Sequence, residues 1–236
     1  MYDSYDYDFE GDGRQTSYIL PLIALNVIVF LFSMGGNRLT ELFKFHPYLI
    51  SRLQLWRLVT YMFMHAGFSH LFFNMWGLYI FGRLLERALG SRRFLTLYLV
   101  SGIIGALTWW LFNYESTYTV AFSVEGHPVL TSSLSQLREL KSLYPDAKFL
   151  AAPGGLVGAS GALFGVMVAT AMAFPNMRVM VMFLPIAMKL KHFTMIYIAI
   201  EVFESISANS NIAHLAHLGG ALGGFLYINY LRNRYR

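Results

Sequence analysis

One serine, three histidines and an asparagine carry most of the chemistry available to this sequence. Ser160 lies in the run Gly154–Gly155–Leu156–Val157–Gly158–Ala159–Ser160–Gly161–Ala162–Leu163–Phe164–Gly165, which opens an apolar stretch reaching Phe174. Its hydroxyl therefore falls at a helix N-terminus. Backbone N–H groups lack intrahelical partners there and the helix dipole favours negative charge, which suits a developing oxyanion. His214 and His217 share one face of a second helix, and His70 and Asn74 open a third apolar run. A hydroxyl nucleophile, an imidazole base and N–H donors are the parts of acyl transfer. Each has a plainer reading. Gly161 and Gly165 suit close packing of membrane helices, and His70 and Asn74 suit interhelical hydrogen bonds. The His214–His217 pair also admits a metal site, but it lacks an HExxH glutamate and any obvious third ligand, so no metal is expected.

The elements that must position these groups follow from composition. The chain has 236 residues, is 56% apolar and only 13% charged, and contains no cysteine. Disulfides and thiol chemistry are thereby excluded. Several apolar runs are long enough to span a bilayer, which takes about 20 residues each, and backbone in lipid must be satisfied within helices or barrels. The expected fold class is an all-α polytopic membrane protein, a bundle of six transmembrane helices. The spans are placed at about 18–34, 68–81, 94–112, 159–174, 193–206 and 212–231.

Residues 1–17 form an acidic tail without periodicity, expected to be disordered and cytoplasmic. The membrane domain covers 18–231, with an interfacial first loop at 35–67 and a long polar loop at 113–153. Within that loop, 132–142 suits a short amphipathic helix. Lys189 and Lys191 would each cost about 2.5–3.5 kcal/mol at a bilayer centre, so 177–191 is expected to be an interfacial hairpin. A basic tail, 232–236, closes the chain. Six spans put both termini on one side, and of the 18 Lys and Arg residues eleven then fall on that side and seven opposite. The termini are expected in the cytoplasm. The net charge of +5 suits anionic lipid headgroups. Basic residues dispersed among spans argue against nucleic acid.

On this topology the second, fourth and sixth spans all run inward, each with its polar residues near its start. At about 1.5 Å rise per residue these groups share a depth in the outer half of the membrane. Ionisable and polar groups at such depth are functional candidates. Trp56 and Arg57 are expected to anchor the first loop at the headgroups. His65 suits a structural hydrogen bond or a path for water. Glu86 suits an ion-paired helix end beside Arg83 and Arg87. Glu201 and Glu204 suit either a cavity beside the site or structural pairing.

At this point the sequence resembles the rhomboid family of intramembrane serine proteases. Gly158–Ala159–Ser160–Gly161 is similar to its GxSG motif, and Ala216 to Gly224 to its AHxxGxxxG helix. His70–Leu71–Phe72–Phe73–Asn74 is similar to HxxxN, Trp56–Arg57 to the WR pair, and Glu86 falls where the family usually has a glutamate. The resemblance covers about 18–231; the 113–153 connection is longer than in compact six-span members.

The resemblance implies a Ser160–His217 dyad with no third acidic member and no cofactor. Ser160 would be the nucleophile and His217 its base. The oxyanion would meet the Ser160 N–H, His70 and Asn74, while Phe164 would stack on His217. Gly158, Trp56 and Arg57 would support the site, and Gly220 and Gly224 would draw the sixth span against the fourth. Substrates would be membrane proteins with a helix-destabilised transmembrane segment, cut on the extracytoplasmic side of an integral, multi-pass enzyme in a lipid bilayer (the cell membrane in a bacterium). The alternative is a non-catalytic rhomboid-like protein that escorts membrane clients. Such relatives lack the serine or the histidine, and both are present here.

Overall fold

The computed structural model describes residues 16–34, 38–50, 52–112, 120–151, 155–180, 186–207 and 214–234. The expected acidic tail lies almost wholly outside them, as do 113–119, 152–154, 181–185 and the last two residues of the basic tail. The chain begins with α1 (Ile19–Ser33). The first connection holds three short helices, α2 (Arg38–Phe43), α3 (Pro47–Ile50) and α4 (Arg57–Thr60), and a 3-10 turn at Tyr61–Phe63. Then come α5 (Phe68–Gly77), a π-helical stretch at Leu78–Gly82, α6 (Arg83–Leu89) and α7 (Ser91–Phe112). The second long connection contains β1 (Val120–Val124), β2 (His127–Thr131), α8 (Leu134–Leu143) and β3 (Lys148–Ala151). The last elements are α9 (Ser160–Ala173), β4 (Arg178–Met180), β5 (Ala187–Lys189), α10 (Leu190–Ser207) and α11 (His214–Arg234). Among the described helices α7 alone is long and apolar enough to cross a membrane by itself; α1 and α9 are apolar but shorter.

The centre of the bundle is α7, α9 and α11, in mutual contact. Glycine makes this possible. A methyl group at Gly220 would lie 1.8 Å from the Gly161 carbonyl oxygen, and one at Gly224 would lie 2.2 Å from that of Gly165. On the other side of α11, a methyl group at Gly105 of α7 would lie 2.7 Å from the Ala216 carbonyl. Backbone therefore meets backbone on both sides of α11. The hairpin expected at 177–191 is the antiparallel pair β4–β5.

Four expectations need correction. The second span does not stop at Gly82: Phe68–Leu89 continues as helix through the π-helical stretch. A helical glycine costs only about 1 kcal/mol, and here a Cβ would lie 2.8 Å from Ile19 Cδ1, so Gly82 is where α1 packs. The chain turns instead at Gly90, which adopts φ +80° between α6 and α7. Glu86 is not ion-paired with its neighbours; it accepts from the Ser17 hydroxyl and from the Tyr18 N–H at 2.7 Å, capping the start of α1. Arg232 and Arg234 belong to the last turn of α11 rather than to a tail. Arg232 donates to the Met172 carbonyl at 2.7 Å, at the C-terminal end of α9.

The fourth correction concerns fold class. The bundle is helical, but 120–151 is not all-α. It forms a three-stranded antiparallel sheet in the order β2-β1-β3 with α8 packed on it. Val120, Phe122 and Val124 alternate inward, a period of two that the sequence displays. The hairpin turns at Glu125 and Gly126, both with positive φ as a type I′ turn requires. Tyr48 of the first connection packs edge-on against Phe122, 6.0 Å between ring centroids, tying this unit to the bundle.

Gly220→Val should force α11 off α9. Overpacking of this kind costs about 1–3 kcal/mol even against side chains, and carbonyl oxygens yield less. The detergent-solubilised variant should show a clearly lowered thermal midpoint, whereas Leu222→Val, on the exposed face of α11, should not. Equal midpoints for Gly220→Val and the unaltered chain would refute the backbone contact.

Candidate active site

Ser160 is the first residue of α9. The helix has Ala159 at its N-cap, a side chain that cannot cap, so its first N–H groups retain no partner from that source. The approach to Ser160 is held from outside. Phe45 and Leu156 exchange two backbone hydrogen bonds of 3.0 and 2.9 Å, and Gly158 donates its N–H to the Tyr61 carbonyl at 3.0 Å. Tyr61 in turn donates its hydroxyl to the Gly102 carbonyl of α7 at 2.7 Å. The first connection and α7 thus fix the chain just before the serine.

Across the α9–α11 contact, His217 Nε2 lies 2.8 Å from Ser160 Oγ. The imidazole stacks on Phe164, 4.4 Å between centroids with the planes 9° apart. The stack continues beyond the expected pair, through Tyr197 and Phe193 of α10 to Phe81 of the π-helical stretch between α5 and α6. Ser160, His217, His70 and Asn74 all border one cavity of about 400 Å³ with mainly aromatic and aliphatic walls. Such a volume and lining suit a binding cleft.

His70 and Asn74 occupy the facing wall on α5. His70 Nδ1 accepts from the Ala66 N–H at 3.4 Å, which puts the proton on Nε2 and makes that atom a donor. Gly158 lets the ring approach: it has φ +120°, and a Cβ there would sit 2.7 Å from His70 Nε2. Asn74 is buried, and one of its amide N–H groups returns to the His70 carbonyl at 2.8 Å. His65 packs against His70 with 5.1 Å between centroids. Burial, reinforced by His70, lowers its pKa to about 4, so it is neutral at neutral pH. Both of its ring nitrogens are buried.

The largest departure from expectation is acidic. Glu201 of α10 is buried, and its Oε2 accepts from His217 Nδ1 at 3.0 Å and from His214 Nδ1 at 2.7 Å. A carboxylate does therefore stand beside the histidine, supplied by the fifth long helix of the bundle rather than by α11. A carboxylate inside an apolar helix was the available signal; its partner is set by how α10 packs and is invisible to spacing. Glu201, His214 and His217 are also the third-ligand set that the histidine pair was expected to lack, with donor atoms within 4.8 Å of one another. Those atoms already satisfy one another by hydrogen bonds. Glu204 is not among the cavity's lining residues.

Trp56 and Arg57 are not in the cavity. Arg57 is buried, and its guanidinium donates to the carbonyls of Glu41 and Lys44 at 2.8 Å and to Gln54 Oε1 at 2.7 Å. It organises the first connection from within instead of reaching outward. Trp56 is half-exposed and donates to the Leu42 carbonyl at 3.2 Å.

Comparisons with known proteins agree with the family resemblance. The family model for the Rhomboid domain matches residues 52–234. The putative rhomboid protease YdcA of Bacillus subtilis is 35% identical over 72% of this chain and 64% of its own length. The rhomboid protease GluP of the same organism is 32% identical over 91% of this chain and 34% of its own. The human mitochondrial presenilin-associated rhomboid-like protein is 26% identical over 93% of this chain and 49% of its own. The chain spans about a third to two thirds of the length of these relatives.

Gly158→Ala should push His70 off its position and strain the chain by about 1–3 kcal/mol. In the detergent-solubilised protein, the rate at which Ser160 reacts with a fluorophosphonate should fall at least about tenfold. A variant reacting at the unaltered rate would show that the Gly158–His70 contact does not shape the site.

Proposed function

The chain belongs to the rhomboid family, whose fold is a multi-span helical membrane bundle, and from that premise we propose that it is an intramembrane serine endopeptidase. The observation that carries the reading is the 2.8 Å contact between Ser160 Oγ and His217 Nε2 at the uncapped start of α9. In this reading α1, α5 with α6, α7, α9, α10 and α11 are the six spans. Both termini face the cytoplasm, and the cavity opens toward the opposite side.

His217 Nε2 takes the proton of the Ser160 hydroxyl as Oγ bonds to the scissile carbonyl carbon, and the carbonyl's π electrons pass to its oxygen. The Ser160 N–H, the His70 Nε2–H and the free N–H of Asn74 surround the resulting oxyanion. When the C–N bond breaks, the proton on Nε2 goes to the leaving amine. Water then releases the acyl group by the same steps, with His217 again as base.

The substrates are membrane proteins with a transmembrane segment that unwinds readily, cut after a small residue. A helix hides its amides in its own hydrogen bonds, so backbone must become extended before Ser160 can reach it. Both members of the Ser–His pair are present and in contact, which supports this reading over that of an escort protein lacking one of them.

The decisive experiment labels the detergent-solubilised chain with a fluorophosphonate and locates the adduct by mass spectrometry. The adduct should sit on Ser160, and Ser160→Ala should abolish both labelling and cleavage of membrane substrates while keeping the thermal midpoint. An adduct on another serine would sink the assignment. A companion measurement concerns the oxyanion. One such donor contributes roughly 10²–10³-fold in a soluble serine protease. Asn74→Ala alone should lose less than that, since His70 remains, and His70→Ala with Asn74→Ala should lose more. In both cases the loss should fall on kcat rather than KM. An unchanged kcat in the double variant would remove the two residues from that role.

A further inference from the structure

The hydrogen-bonded chain does not end at His217. Its other ring nitrogen meets Glu201, so Ser160, His217 and Glu201 form one line across α9, α11 and α10 with contacts of 2.8 and 3.0 Å. Glu201 is 7% exposed, on a helix that presents Val202, Phe203 and Ile206 outward. A carboxylate buried on such a helix is costly unless its oxygens are met by donors. Both donors near Oε2 are imidazole N–H groups. We propose that Glu201 is a positioning residue for His217, so that the reactive unit is a Ser160–His217–Glu201 relay assembled from three helices rather than a two-membered one. This rests on the serine-endopeptidase reading above.

Stacking and hydrogen bonding fix different things. The Phe164 face, 4.4 Å away and nearly parallel, sets the plane of the imidazole. It leaves open rotation within that plane, and it leaves open which nitrogen carries the proton. A carboxylate is an acceptor only, so it holds the proton on Nδ1 and leaves the lone pair of Nε2 directed at the Ser160 hydroxyl. When that hydroxyl proton moves to Nε2, the ring becomes an imidazolium with Nδ1–H still on Glu201. The carboxylate stabilises that charge and takes no proton itself.

His214 makes the assignment specific to one histidine. Its ring stands at 88° to that of His217, and its Nδ1 donates to the same Oε2 at 2.7 Å. It touches the carboxylate but borders neither Ser160 nor the cavity. His214 thus holds the carboxylate in place, while the effect on the serine passes through His217 alone.

The test compares Glu201→Gln, Glu201→Asp and His214→Ala in the full detergent-solubilised chain. It follows the time course of fluorophosphonate labelling at Ser160 over a range of probe concentrations, which separates the maximal rate from the half-saturating concentration. In a soluble serine protease, replacing the triad aspartate by its amide costs about 10⁴-fold. Here Phe164 still holds the ring plane, so Glu201→Gln should lower the maximal rate by about 10²-fold, with the half-saturating concentration within about twofold and the thermal midpoint unchanged. Glu201→Asp restores a carboxylate one methylene short and should recover part of the loss. His214→Ala should stay within about threefold of the unaltered chain, since the carboxylate and its bond to His217 are both retained. A fully active Glu201→Gln variant, in a chain whose Ser160 labels normally, would overturn the relay and leave the protease reading standing. A loss in His214→Ala as large as in Glu201→Gln would also overturn it, since Glu201 would then be tethering helices. If Glu201→Gln does not fold, a folded but unreactive Glu201→Asp variant overturns the proposal and a reactive one upholds it. Failure of Ser160 to label in the unaltered chain would bring down both readings together.

Discussion

Everything at the site depends on two helices meeting with no side chains between them. The carbonyls of Gly161 and Gly165 lie where a Cβ of Gly220 or Gly224 would otherwise be, so α9 and α11 touch through backbone. In lipid there is little hydrophobic gain from joining apolar helices, and close van der Waals approach takes its place. Only at that separation can a serine on one helix and a histidine on the other form a 2.8 Å hydrogen bond. A single added methyl at the contact would separate them before either side chain was touched. The glycines are therefore as much a condition of the proposed chemistry as the side chains they bring together.

The second condition is that the chain leading into α9 be fixed while remaining unusual in conformation. Gly155 and Gly158 both have positive φ, and such backbone persists only where surroundings over-determine it. The surroundings here are the Phe45–Leu156 bridge, the Gly158–Tyr61 bond and the Tyr61–Gly102 bond. Arg57 stands behind them: its two bonds to the carbonyls of Glu41 and Lys44 shape the connection from which Phe45 reaches Leu156. A loop outside the main helices thus sets the position of the serine.

What could be read from sequence follows the range over which the determinants act. Ser160, His217, His70 and Asn74 stand out in the sequence because each falls in the first turns of a helix, where spacing of three or four residues fixes a shared face for the pairs. The Phe164–His217 stack was expected from the resemblance, but its continuation through Tyr197 and Phe193 was not, because no spacing rule joins rings on different helices. Glu86 departs from expectation for a related reason. Its sequence neighbours Arg83 and Arg87 suggested ion pairing, whereas its donors Ser17 and Tyr18 lie some seventy residues away and come close only through packing of α1. The sheet at 120–151 does have a local signal, the alternation at Val120, Phe122 and Val124, but it sits within a stretch whose charged residues give it the look of a polar loop.

The two histidines of α11 show most directly why residue type and spacing stop short of a role. His214 and His217 are three apart on one face, and both direct Nδ1 to the same oxygen of Glu201. By chemistry, helix position and shared partner they are equivalent. They differ in what stands opposite Nε2. For His217 it is the Ser160 hydroxyl, brought there by the glycine contact three residues further along at Gly220. His214 lies a further turn from that contact and has no hydrogen-bond counterpart on α9. A histidine whose two nitrogens face a carboxylate and a hydroxyl can pass a proton between defined states, and one facing only the carboxylate can do no more than hold it. The division of labour is thus made by the neighbouring helices, with α10 treating the two residues alike and α9 choosing between them.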